Sequence, residues 1–268
     1  MALSWIAKRV VDVTPSAKVK PRVISMLLNS FSKRPRDGAC GAAVSSLALR
    51  LSADRLTEVI GNMDAQNVAN SLNALSKWSH DEACAGAVVK LATRIANDDD
   101  GLRRDMDAQN VANSLNALSK WPDDEACTRA AVTLAGRIAN DDDRLRSRLN
   151  PQQVANCLNA LNKWPDDKAC AEAAIKLARR IASDDDRLHG DLNAQNVANS
   201  LNALSKWPYH ETCKQAAVKL AGRIANDDDG LCEGLNAQNV INSLDALSKW
   251  PDDKACAEAA IKLAGQRR

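Results

Sequence analysis

In the stretch "LNAQNVANSLNALSKWP", Leu192 to Pro208, the apolar residues Val197, Leu201 and Leu204 fall at i, i+4 and i+7. That spacing predicts one buried face of a helix. At about 100° per residue, Gln195, Asn199, Asn202 and Lys206 cluster on the opposite side, Asn193 reads as the N-cap, and Asn196 sits on the flank. Asparagine is a mediocre helix former because its amide competes for nearby backbone groups. So many amides on one helix therefore ask for a purpose. A second pattern, "PDDKACAEAAIKLARRIA" from Pro165 to Ala182, predicts another helix with Cys170, Ala173, Ala174, Leu177 and Ile181 on its core face. Acidic residues open it, as the helix dipole prefers, and its alanines allow close approach of a neighbour.

Both patterns recur. Near-copies of the first begin at Met63, Met106, Leu149 and Leu235, and Trp78, Trp121, Trp164, Trp207 and Trp250 are each 43 residues apart. A degraded copy, Leu27 to Cys40, carries Arg34 at the tryptophan position, offset by 44 residues from the next. A fixed period in this range means stacked supersecondary units. The predicted fold is all-α: a right-handed α-solenoid of about six HEAT/armadillo-like repeats with a period of 43 residues. Residues 1–20 read as an N-terminal extension or cap and 21–62 as a degenerate first repeat. Tandem repeats follow at 63–105, 106–148, 149–191, 192–234 and 235–268, the last one truncated.

Local signals place the helix ends. Asn150 reads as an N-cap with Pro151 at N1, where a missing N–H does no harm. Leu149 and Val154 form the two halves of a hydrophobic staple, repeated as Met63/Val68, Met106/Val111, Leu192/Val197 and Leu235/Val240. This first helix, A, runs to about Lys163, because Pro165 disfavours helical geometry in the residue before it. The second, B, ends before a triple-aspartate turn, after which a short helical turn leads into the next repeat.

Charge adds little: 36 Lys and Arg nearly cancel 34 Asp and Glu, so net charge argues neither for nucleic acid nor for membrane. No run approaches the roughly 18 apolar residues of a transmembrane helix, so no membrane role is expected. "MALSWIAKRVVDV" is too short and too charged for a secretory signal peptide. Cys84, Cys127, Cys170, Cys213 and Cys256 recur once per repeat on the core face of helix B, with Cys40, Cys157 and Cys232 besides. Repeats stacked about 10 Å apart exceed the roughly 7 Å Cα limit of a disulfide. These thiols therefore read as small buried hydrophobes of a reducing compartment. No Cys/His spacing suggests a metal, the triple aspartates lack the EF-hand pattern, and His80, His189 and His210 sit in variable turns. A catalytic site is a singular constellation, and this chain is almost wholly repeated. The reading is non-enzymatic, with no cofactor.

Three repeated ladders are candidate binding features. The first is an amide and lysine stripe on helix A: Gln66, Asn70, Asn73 and Lys77; Gln109, Asn113, Asn116 and Lys120; Asn156, Asn159 and Lys163; Gln195, Asn199, Asn202 and Lys206; Asn242 and Lys249, with Asp245 breaking the second column. It could hold an extended peptide backbone, or it could join neighbouring helices by hydrogen bonds. A base-by-base code would need reading positions that differ between repeats, and these hardly differ. The tryptophans form the second ladder; they offer stacking platforms, but their place before the A–B turn favours packing. The third comprises Arg94, Arg137, Arg180 and Arg223 on helix B, with Lys90, Lys176, Lys219 and Lys262 one turn earlier. It is the phosphate-binding stripe if the partner is RNA. Against that, each arginine lies four residues before an aspartate (Asp98, Asp141, Asp184, Asp227), which permits a local ion pair. Variation among repeats concentrates at the start of helix B (His80, Asp123, Asp166, Tyr209; Gly86, Arg129, Glu172, Gln215) and in the turn after the aspartates.

The core "LNALSKWP" at Leu201–Pro208, with four copies reading KWP and a fifth KWS, resembles the SKWP-repeat family of type III secreted effectors of plant-pathogenic bacteria. The resemblance covers about Leu27 to Arg268. It implies a HEAT/armadillo-like array, delivery by the type III route into the cytoplasm or nucleus of a host cell, and action there by binding a host protein. Members are typically much longer, and a Ser-rich leader does not stand out at this start. "AQNVANSLNALSK" is also similar to helix A of octotricopeptide-like repeats, which implies RNA binding as the alternative; the longer period and the near-identical reading positions depart from that pattern. The chain stops inside helix B at "LAGQRR", so self-association through the C-terminal repeat face is a further expectation.

Overall fold

The computed structural model describes residues 2–13, 20–53, 57–97, 101–140, 144–183, 191–226 and 230–265. All regular structure among them is helical. The chain divides into two compact units, Met1–Leu134 and Ala135–Arg268, a division that falls inside one helix and not between repeats.

The first unit contains α1 (Ala2–Val13), α2 (Pro21–Phe31), α3 (Gly38–Ser52), α4 (Thr57–Gly61), α5 (Ala65–Leu75), α6 (Glu82–Asn97), α7 (Leu102–Asp105), α8 (Ala108–Leu118) and the start of α9 (Glu125–Asn140). Helix A packs on helix A: α2 on α5, and α5 on α8. Helix B packs on helix B, α3 on α6, and each A on its own B, α2 on α3 and α5 on α6. Within residues 1–20, α1 packs on α3 with Ala7 buried and Trp5 exposed.

The second unit repeats the scheme with α10 (Arg144–Arg148), α11 (Pro151–Leu161), α12 (Lys168–Ala182), α13 (Ala194–Leu204), α14 (Glu211–Asn226), α15 (Ala237–Leu247) and α16 (Lys254–Gly265). Here α11 packs on α13 and α13 on α15; α12 packs on α14 and α14 on α16. Within each unit this is a two-layered stack of helices, an arrangement compatible with an α-solenoid.

The core comes from the periods seen in the sequence. The core-face Val, Ala and Leu of the A helices and Cys, Ala, Leu and Ile of the B helices are mostly buried, as in Val197, Leu201, Cys213, Leu220 and Ile224 at 0 % exposure. Short turns of helix precede several A helices: α4, α7, α10 and a 3-10 turn at Leu231–Gly234. Gly101 and Gly230 open two of them at φ 78° and 64°, left-handed geometry that glycine adopts without steric cost.

Candidate partner-binding surface

Every A helix of the regular repeats starts on an amide or carboxylate cap. The side chains of Asp64, Asp107, Asn150, Asn193 and Asn236 accept the N–H groups of Asn67, Asn110, Gln153, Asn196 and Asn239 at 2.7–2.9 Å. Gln153 returns a bond to the Asn150 N–H, completing a capping box, a reciprocal pairing that satisfies two orphan donors. At the other end, the hydroxyls of Ser76, Ser119 and Ser205 donate to the carbonyls of Asn73, Asn116 and Asn202. Helix A is thus fixed at both ends, and the rotation of its outer stripe follows.

On that stripe Gln66, Gln109 and Gln195 and all five lysines, Lys77 to Lys249, are exposed. Asn70, Asn73, Asn113, Asn116, Asn156, Asn159, Asn199, Asn202 and Asn242 are half-buried. Among the described residues no hydrogen bond runs from one of these amides to the amide of the next repeat. Within the last A helix Gln238 Nε2 donates to Asn242 Oδ1 at 2.8 Å, and Lys249 stands 3.9 Å from Asp245. Because A helices pack on A helices within each unit, equivalent half-buried amides recur from one A helix to the next.

The tryptophans take structural partners one repeat upstream. Trp207 Nε1 donates to the Pro165 carbonyl at 3.1 Å and Trp250 Nε1 to that of Pro208 at 3.0 Å. A Cβ built on Gly41 would stand 3.3 Å from Trp78 Nε1, so that indole lies against the first turn of α3 in the degenerate repeat. A buried indole N–H needs an acceptor, and the carbonyl in the preceding A–B turn supplies it.

The arginine ladder also turns inward. Arg94 Nη1 donates to the carbonyls of Ile60 and Met63, the latter at 2.6 Å. Arg180 does the same to Arg146 and Leu149, and Arg223 to Leu192 at 3.1 Å. These carbonyls lie where the connecting turn gives way to helix A. A guanidinium there satisfies acceptors that a helix end leaves open and puts a cation where the helix dipole favours one. The aspartates proposed as ion-pair partners, Asp98, Asp141, Asp184 and Asp227, lie outside the described residues, as do His189, Arg267 and Arg268.

Sequence reasoning placed acidic residues in the first turn of helix B but missed that one of them is its cap. Asp81, Asp124, Asp167 and Asp253 accept the N–H groups of Cys84, Cys127, Cys170 and Cys256 at 2.8–3.1 Å; an aspartate three residues before each cysteine was the available signal. His210 stands at this position in the remaining repeat, and its Nδ1 is buried with no hydrogen-bond partner. Tyr209 beside it is fully exposed. Asp81 also accepts from Ser45 Oγ of the preceding repeat at 2.6 Å. Burial pushes its carboxyl up, but the bonds from Ser45 and Cys84 outweigh that and hold it below the usual range.

The cysteines are all free and buried. Burial pushes the thiols of Cys84, Cys157, Cys213 and Cys256 up to about 12, and Asp81 and Asp253 add to the effect at Cys84 and Cys256. Such thiols carry almost no thiolate at neutral pH. Among the described residues no group of three His, Cys, Asp or Glu side chains is placed to hold a metal ion, and no helix is long and apolar enough to cross a membrane. Comparison with protein-family models, with curated proteins and with solved structures finds no match for this chain.

Proposed function

We propose that this chain is a non-enzymatic interaction scaffold: a right-handed α-solenoid of about six repeats that binds a host protein, in the manner of a type III secreted effector of the SKWP-repeat kind. The observation that carries the binding reading is the amide stripe. Its asparagines are ordered by helices capped at both ends, they recur from one A helix to the next within each unit, and no bond joins them repeat to repeat among the described residues. An extended peptide offers one N–H and one C=O per residue, and a ladder of amides, each both donor and acceptor, is matched to it. Near-identity of the stripe from repeat to repeat suits a backbone, whose chemistry is also uniform. The exposed residues at the start of helix B, Tyr209 above all, would then discriminate between partners.

The RNA alternative has less support. Three of its four proposed phosphate ligands, Arg94, Arg180 and Arg223, use Nη1 to hold backbone carbonyls, and the would-be reading positions hardly vary, Asp245 apart.

The test is a variant with Asn156, Asn159, Asn199 and Asn202 changed to alanine, compared with wild type for proteins captured from a plant-cell extract. Alanine is the better helix former, so the variant should melt no lower than wild type. Loss of captured proteins at an unchanged melting temperature is the expected result. A variant that captures the same set would remove the stripe from the mechanism.

A further inference from the structure

Each A helix of the regular repeats is followed, two positions past its last residue, by a lysine: Lys77, Lys120, Lys163, Lys206 and Lys249. In the second unit the backbone at these lysines is the same in three successive repeats. Asn162, Ser205 and Ser248 end their helices at φ −64°, −64° and −62° with ψ −8°, −11° and −13°. The N–H groups of Lys163, Lys206 and Lys249 then donate to the carbonyls of Ala160, Ala203 and Ala246, each at 3.1 Å. What one of these lysines can reach, the others can reach. The last repeat shows the reach: Asp245 stands where the two before it carry Asn159 and Asn202, and Lys249 Nζ lies 3.9 Å from its Oδ1. There the chain itself supplies a carboxylate at the second amide column, and the lysine one turn on meets it.

In the two repeats before it the carboxylate is missing and the lysine remains. Lys163 and Lys206 are exposed, and neither their side chains nor the amides of Asn159 and Asn202 have a hydrogen-bond or ion-pair partner among the described residues. Asp166 follows Lys163 by three positions and is exposed, but forms no ion pair with it; after Lys206 that place is Tyr209. In sequence the triple aspartates precede each A helix and the lysines follow it, with the 11 residues of the helix between them. An ammonium one turn from an amide offers donors from two groups to a carboxylate, which is acceptor-only when ionised.

We propose that the stripe of the second unit takes an acidic segment of a partner protein in the polyproline II conformation, with a carboxylate at every third residue; this rests on the reading of the stripe as a peptide-binding surface. Spacing selects the conformation. α11 packs on α13, and packed helices lie about 8–10 Å apart. Polyproline II returns to the same side every third residue at a rise of about 3.1 Å each, or about 9 Å per turn. A β-strand returns to one side every second residue, at about 6.7 Å and then about 13 Å, and matches neither limit. One carboxylate then meets Lys163 and Asn159, and the next meets Lys206 and Asn202. A polyproline II backbone makes no internal hydrogen bonds, so its carbonyls are free to accept from Asn156 and Asn199. Asp245 ends the surface, because it engages Lys249 and repels a further carboxylate.

The experiment is a fluorescence-anisotropy titration of the full chain with a labelled peptide of repeated Glu-Pro-Pro triplets, in a buffer of about 50 mM salt. Two further peptides serve as comparisons: one of the same composition with its glutamates in a single block, and one with glutamine in place of glutamate. The Glu-Pro-Pro peptide should bind at least about fivefold tighter than either, the scale of one exposed ion pair. Lys163→Ala and Lys206→Ala should each weaken it by about threefold to fivefold, whereas Lys214→Ala on α14 should change it by less than about twofold. Asp245→Asn should act in the opposite direction and tighten binding by about threefold, because it releases Lys249 and restores the residue that the other repeats carry. All four substitutions replace exposed side chains and should leave the melting temperature unchanged. Equal binding of the blocked peptide, or equal weakening by Lys214→Ala, would mark diffuse charge and overturn the proposal. Equal binding of the glutamine peptide would overturn the acidic partner while leaving the stripe as a peptide-binding surface. Failure of every peptide to bind would overturn the proposal, and capture by the asparagine variant then shows separately whether the stripe reading falls with it. Single-stranded RNA that binds where the Glu-Pro-Pro peptide does not would overturn it too.

Discussion

A single histidine tests how far the repeats describe one another. His210 occupies the helix cap that aspartate fills at Asp81, Asp124, Asp167 and Asp253, and its ring nitrogen makes no compensating bond. His210→Asp should restore the cap to the Cys213 N–H and stabilise the chain by about 1 kcal/mol, read from urea unfolding; an unchanged midpoint would mean the cap is already replaced by other contacts. Ser45 and Asp81 give a pH test. The Asp81 carboxyl is held below its usual value in the folded chain, so its contribution is complete above the unfolded value of about 4 and is lost as pH falls through the folded value. Ser45→Ala removes one bond that lowers it. The variant should be the less stable protein at pH 7, and the gap to wild type should narrow below about pH 4. A gap that stays constant down to pH 2.5 would detach the bond from the carboxylate charge. Ser71, Ser114, Ser200 and Ser243 are a different kind of residue: fully buried, their hydroxyls have no partner. Cys157 takes the same position in the remaining regular repeat, which shows that the site selects for small volume and not for a hydroxyl.

Elements were legible in proportion to how local their causes are. The A helices, their caps at Asn150 and Asn193, and their end before the tryptophan all follow from residues within one or two turns of each other. The destination of the arginines does not. Arg94 reaches a carbonyl 31 residues back and Trp207 one 42 residues back, beyond any spacing that local helix geometry suggests. The clamp predicts that Arg94→Met, which keeps the apolar stem, destabilises the chain by about 2 kcal/mol, the scale of hydrogen bonds made by a charged group. Urea unfolding checks it, and a loss near zero would return the arginine to the surface. The same clamp explains why neutralising the arginine ladder wholesale is a poor test of RNA binding. It removes the supports of the connecting turns together with the charge.

At the scale of the molecule, each described packing partner of a helix is in its own repeat or the next. Stability in such an array is a sum over repeats and their nearest interfaces. Deleting residues 192–234, one period, joins Asp191 to Leu235 and leaves every junction of a familiar kind. The shortened chain should keep its helicity per residue by circular dichroism and unfold cooperatively at a lower temperature. Collapse into a molten or insoluble state would show that the repeats are not interchangeable neighbours. The stripe proposed to bind a partner belongs to this scale as well, because one helix offers two or three amides and a surface would need the stack.

By itself the sequence determined the helices, their ends, the period and the face each helix buries, because those depend on spacing along a few turns of chain. It also set out the amide stripe, whose positions follow from the same geometry. Tertiary structure decided which ladders hold the array together. The indoles and guanidinium groups find carbonyls a large part of a repeat away, while the half-buried amides make no described bond to the amide of the next repeat.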